Sequence, residues 1–182
     1  MQTGLRRLVI GYGNLDRCDD GAGFYVVNGL RRRLGQKPLD CDDNGMSELG
    51  GCKDSVFVRQ LVPELVETVS DYYRVIFVDA HIPSGGPRLA CARVDPQQGV
   101  MLHSHYMHPA QLLGILKALW DREPVSHLLS IQGCSFGLGR GLSAGTAKLV
   151  APAALMILEL LDAAPDPLMS EVSRKTVHPS LG

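Results

Sequence analysis

The stretch LVIGYGNLDRCDDGAGFYVVNGL, residues 8–30, passes from an apolar strand through a glycine-rich turn and an acidic pair into a helix. Arg7–Gly11 has the pattern of a short buried strand. The helix opens at Asp20 or Gly21 and runs to about Leu34, with Ala22, Val26 and Gly29–Leu30 on its apolar face. Gly23 and Gly29 are poor helix formers and weaken that signal. A turn of this kind normally receives an anion on its free N–H groups. Here Asp19 and Asp20 stand where a phosphate would sit. GYGN supplies two glycines of the dinucleotide fingerprint, but the third position, counted on from Gly13, is Asp16. A nucleotide-binding α/β protein is therefore the minor reading.

Outward from this unit, strands and helices alternate. SVFVRQL (Ser55–Leu61) alternates like a strand, and Val62–Ser70 follows as a helix with Pro63 in its first turn. RVIFVDA (Arg74–Ala80) is continuously apolar and β-branched, as in a parallel strand buried on both faces. PRLACARV (Pro87–Val94) reads as a further strand and a candidate edge. A helix over about Pro109–Trp120, a strand over Ser126–Gly133 and a helix over about Ser143–Leu161 complete the series. The pattern predicts one three-layer α/β/α sandwich over residues 1–164, with a mostly parallel twisted sheet of about five strands. Residues 165–182, with three prolines, are expected to be a disordered tail. The segment Gly35–Asp54 has no period and is rich in Gly and Asp, which predicts a functional flap or mobile loop.

The chain has 182 residues, is 45% hydrophobic and 20% charged, and carries a net charge of −1. These values suit a globular domain and give no basic stripe for nucleic acid. The triplet Arg31-Arg32-Arg33 is expected to be the solvated end of a helix. Five cysteines without a C-x-x-C pair argue against a disulfide framework. The start of the chain lacks a signal-peptide pattern, and the apolar run Ala151–Leu161, broken by Glu159, is too short to span a bilayer. The expectation is a cytoplasmic protein with no membrane partner.

In open α/β sheets, function gathers at the carboxyl ends of the strands. Asn14, Asp19 and Asp20 follow the first strand. Asp79 and His81 follow RVIFVDA. His103, His105 and His108 precede the Pro109 helix. Two carboxylates and an imidazole from three connections would suit a divalent transition metal such as nickel, zinc or manganese. Asp20 would reach the ion, and the glycines would let a substrate backbone approach. Asp20 is also a good helix cap, and Asp19 reads as a cap or turn partner. Asp79, ending a buried strand, must find partners or lose solvation. Cys18 has no general base beside it and is a poor nucleophile candidate.

These motifs resemble those of the [NiFe]-hydrogenase maturation endopeptidases. GYGNLDRCDDGAG matches the family's opening motif of G-x-G-N followed by an acidic pair. VIFVDA matches its strand ending in D-A, and Ser104-His105 its histidine ahead of a helix. LLSIQGCSFGLGRGLSAGTAKLV matches a late strand, glycine loop and helix. The resemblance spans about residues 7–162. It implies a protease that removes the C-terminal extension of a hydrogenase large-subunit precursor once nickel is in place. The nickel, carried by the precursor, would be contacted by Asp20, Asp79 and His105; no organic cofactor is implied. Gly11, Gly13 and Asn14 would line the substrate groove, and no catalytic residue is assigned. Asp20 is shorter than the glutamate some members carry. Where many members have D-G-G after the second strand, this chain reads RQLVPEL. That departure keeps open a second reading, a non-cleaving metal-dependent chaperone for a nickel-loaded partner.

Overall fold

A computed structural model describes residues 5–83, 85–97 and 107–164. The order of elements is β1 (Arg7–Tyr12), α1 (Ala22–Arg33), β2 (Lys53–Val58), α2 (Leu65–Ser70), β3 (Arg74–His81), β4 (Leu89–Arg93), α3 (Pro109–Trp120), β5 (Val125–Gln132) and α4 (Ala144–Asp162). The five strands form one sheet in the order β2-β1-β3-β5-β4. All pairs are parallel except β4 with β5. The expected three-layer α/β/α architecture is therefore present, with PRLACARV supplying the antiparallel edge.

Strand alternation divides the core into two. Val9, Ile76, Val78, Leu129 and Ile131 pack with Val26, Val27 and Leu30 of α1 and with Ala153, Ile157 and Leu161 of α4. Leu8, Ile10, Val75 and Phe77 point the other way, onto Val66 and Val69 of α2 and Leu112, Leu113 and Leu116 of α3. Helix α4 is long and apolar enough to cross a membrane by length and composition. Its buried face is instead spent on α1 and the sheet.

The glycines that weaken α1 as a helix explain its position. A Cβ on Gly11 would stand 2.7 Å from the carbonyl oxygen of Gly23. A Cβ on Gly23 would stand 3.0 Å from the backbone of both Tyr12 and Val78. The start of α1 thus lies directly on β1 and β3, at a separation no side chain permits. Helix propensity gives way to packing.

Residues 35–52 contain a 3-10 turn at Met46–Glu48 and are otherwise irregular, yet they are tied down. Asn28 holds Leu39 in both directions: its amide donates to the Leu39 carbonyl at 3.1 Å and its Oδ1 accepts the Leu39 N–H at 2.7 Å. The N–H of Phe57 donates to the carbonyl of Asn44 at 3.0 Å, so the segment covers the β2 edge. Arg31 corrects a second expectation. It is 3% exposed, donates to the carbonyls of Lys37 and Ser55, and pairs with Glu48. Arg32 and Arg33 remain exposed. The proposed tail, residues 165–182, lies outside the described residues.

Candidate functional site

The chain leaves β1 over one face of the sheet to reach β2, and leaves β2 over the other face to reach β3. The strand order therefore reverses between β1 and β3, the position at which open α/β sheets form their binding crevice. The turn after β1 and Asp79 of β3 lie at this same end of the sheet.

The turn closes on itself. Gly13 has φ +139°, and a Cβ on it would lie 1.9 Å from the carbonyl oxygen of Asp20. The Gly13 N–H donates to Val58 O at 3.2 Å. The N–H of Asn14 donates to Oδ2 of Asp20 at 2.9 Å, and its Oδ1 accepts the N–H of Asp16 at 3.0 Å. Asp20 lies in a 3-10 turn (Cys18–Gly21), with Gly21 rather than Asp20 preceding α1. Gly11, Gly13 and Asn14, expected to line a substrate groove, each have a local packing or turn role in the fold. Gly11 is filled by α1, Gly13 by the return of the chain, and the side chain of Asn14 stabilises its own turn.

Asp19 is fully buried and receives five donors from the segment after β5. They are the N–H groups of Cys134 (2.7 Å), Ser135 (2.9 Å) and Ser143 (2.7 Å) and the hydroxyls of Ser143 (2.7 Å) and Thr146 (2.8 Å). Burial works to raise the carboxyl, but these hydrogen bonds outweigh it and bring it down to about 2. The residue read as a turn partner is thus the clasp between the first motif and the late glycine loop. Ser143 also caps α4, its hydroxyl accepting the N–H of Thr146 at 3.4 Å. Around the rim, Arg140 pairs with Asp16 at 2.7 Å and Arg59 approaches the same carboxylate at 3.8 Å.

Asp79 alternates with Val75 and Phe77 and so points to the α2/α3 side. Tyr12, alternating with Leu8 and Ile10, points the same way. Burial pushes the Asp79 carboxyl up to about 6; hydrogen bonding from Tyr12 and from the Ala80 N–H (2.8 Å) opposes this. The nearby Asp20 charge raises it further and His108 lowers it. Burial, then Asp79, pushes the Tyr12 phenol strongly upward. His108, exposed just before α3, has its main-chain N–H held by Gln111 Oε1 at 2.8 Å.

The charge of Asp20 is felt at Asp79. His103 and His105 lie outside the described residues. Among the described residues no group of three or more His, Cys, Asp or Glu side chains stands ready to hold an ion. Sequence reasoning missed Tyr12, although its alternation with Leu8 and Ile10 was a usable signal.

No family model matches the sequence, and no curated protein matches it. Solved structures do. HycI, a [NiFe] hydrogenase maturation protease from Thermococcus kodakarensis KOD1, is similar at 21% identity, covering 89% of this chain and 96% of that one, with TM-score 0.58. The hydrogenase maturating endopeptidase HybD from E. coli is similar at 20% identity, over 86% and 92% of the two chains, with TM-score 0.64. The hydrogenase 2 maturation peptidase from Thaumarchaeota archaeon SCGC_AB-539-E09 is 22% identical over 86% and 98%, with TM-score 0.55. Five strands in a mostly parallel sheet, two helices on each face and a reversal of strand order between β1 and β3 give this chain the fold of the hydrogenase maturation proteases.

Proposed function

We propose that this chain is a maturation endopeptidase that removes the C-terminal extension of a nickel-loaded [NiFe]-hydrogenase large-subunit precursor. The observation that supports the reading is that Asp20, in the turn after β1, and Asp79, near the end of β3, lie at the same end of the sheet with the Asp20 charge felt at Asp79. A carboxyl held near 6 by burial and a neighbouring carboxylate is a poor structural element and a good cation contact. A divalent metal arriving with the precursor would displace its proton and relieve the repulsion from Asp20. His105, by motif, would supply the imidazole. The role of these side chains is to seize and orient the precursor. The nickel is substrate cargo, and the reaction would take place in the cytoplasm with the precursor.

The test is co-expression with a [NiFe]-hydrogenase large-subunit precursor, reading the shortening of the precursor on a gel. The native chain shortens it, whereas Asp79→Asn and His105→Ala do not. A native chain that captures the nickel-loaded precursor without shortening it would replace this reading with that of a chaperone.

A further inference from the structure

Helix α4 is apolar on sides that the fold does not use. Among its 19 residues, Thr146, Ala153, Ala154, Ile157 and Leu161 are buried. Its outward stripe runs through Lys148, Ala151, Pro152, Leu155 and Glu159, all exposed, with Leu155 at 51%. Met156 and Leu158, half-buried, border it. We infer that this stripe is the contact surface for a second copy of the same chain. The two α4 helices would lie antiparallel across a two-fold axis level with Ala153 and Ala154.

The spacing selects the partner. Steps of four, three and four residues from Lys148 through Pro152 and Leu155 to Glu159 stay on one face of a helix. Lys148 stands five positions before Ala153, and Glu159 five positions after Ala154. In the antiparallel pair, Lys148 of each copy therefore faces Glu159 of the other, and Pro152 faces Leu155. Each contact occurs twice, as a closed two-fold dimer requires. Neither Lys148 nor Glu159 forms an ion pair among the described residues. The result is an apolar centre with charged ends, the usual anatomy of a protein interface. Ala151 and Pro152 keep that centre low enough for the helix axes to approach to about 8–10 Å.

A lipid surface fits the same stripe poorly. Glu159 stands within it, where a helix lying on a membrane carries its apolar residues. Pro152, inside the helix, cannot donate to the carbonyl of Lys148. A carbonyl without its helical donor is costly in lipid, whereas the edge of a protein contact leaves water to serve it. The dimer also leaves the Asp79 side of each sheet uncovered, because α4 packs on the opposite face.

The test is sedimentation equilibrium of the full chain. A contact of this size is transient, so the mass should rise from one chain toward two over roughly 5–500 μM protein. Leu155→Asp, at an exposed position, should keep the denaturant midpoint and abolish the rise. Lys148→Glu and Glu159→Lys each set like charges face to face in both contacts and should weaken association about tenfold. An equimolar mixture of these two variants, and the variant carrying both changes, restores opposite pairs. Both should return to within about threefold of the native chain. If Leu155→Asp does not fold, the charge exchange decides alone. A single chain at every concentration overturns the inference, and so does association indifferent to the charge exchange. Cosedimentation of the native chain, but not of Leu155→Asp, with phosphatidylcholine–phosphatidylserine vesicles, without self-association, would give the stripe to a membrane and also overturn it. None of these outcomes depends on whether a precursor is shortened.

Discussion

The backbone N–H of Asn14 donates to Oδ2 of Asp20 at 2.9 Å, so the turn that would receive a phosphate in a nucleotide-binding fold already holds an anion of its own. An incoming phosphate would have to displace a carboxylate tethered six residues away and overcome its charge. Millimolar ATP or NAD, without metal, is therefore expected to leave the thermal midpoint unchanged. A reproducible rise in midpoint would show that the turn can be opened.

Asp79 makes a prediction about pH. Its folded carboxyl sits at about 6, above the unfolded value of about 3.9. The folded protein therefore holds this proton more tightly. The stabilisation is complete below about pH 3.9 and is lost as pH rises through 6. Asp79→Asn removes the dependence, so its denaturant midpoint should gain on the native chain between pH 4 and 6.5. The gain should level off at about 1–3 kcal/mol above that. Parallel profiles for the two proteins would place Asp79 in a solvated, unperturbed setting.

Asp19 has the opposite sign. Its folded carboxyl is held at about 2, so its contribution is present above about pH 3.9 and is lost as pH falls toward 2. Asp19→Asn turns an acceptor of five hydrogen bonds into a group that also presents N–H donors to them. The expected cost at neutral pH is about 2–4 kcal/mol, with a flatter acid limb. A urea titration at pH 7 and pH 3 tests both parts, and a loss under about 0.5 kcal/mol would show that the clasp contributes nothing.

Two glycine substitutions separate backbone strain from crowding. Gly35 has φ +70° and nothing within 4 Å of the place a methyl would take, so Gly35→Ala should cost only about 1 kcal/mol. Gly13→Ala adds a carbonyl oxygen at 1.9 Å and should cost more than about 3 kcal/mol, or abolish cooperative folding. Similar denaturant midpoints for the two would contradict the closed turn.

The tethering of residues 35–52 is open to hydrogen exchange. Asn28→Ala removes both bonds to Leu39, so the Leu39 amide should exchange fast in the variant and slowly in the native chain. Fast exchange in both would return the segment to a loose flap.

The layers were legible because they follow local rules. RVIFVDA is apolar on both faces and is the sheet's middle strand, while PRLACARV mixes small and exposed residues and is its edge. The placement of Asp20 after β1 and of Asp79 near the end of β3 was legible because strand ends are where an α/β sheet exposes its polar groups. What escaped depends on contacts distant in sequence. Gly11 and Gly23 looked like a substrate approach and a helix defect, and only the crossing of α1 over β1 shows that they serve each other. Arg31 looked solvated because nothing nearby announces that Glu48 and the Ser55 carbonyl fold over it. Asp19 and Asp20 are adjacent letters of one type, yet one faces the late loop and the other its own turn.

The partners of Asp19 lie 115 to 127 residues further along the chain. During synthesis, the first motif leaves the ribosome long before Ser143 and Thr146 exist. Until they arrive, a carboxylate meant for a dry interior has only water to hold it. The β1 turn can form early, but its acidic pair cannot settle until α4 has begun to pack. Completion of this end of the molecule is thus delayed to the last step of folding, as expected for contacts of high sequence separation. A nascent or truncated chain ending before Ser143 would leave Asp19 without its partners and the turn after β1 unfinished.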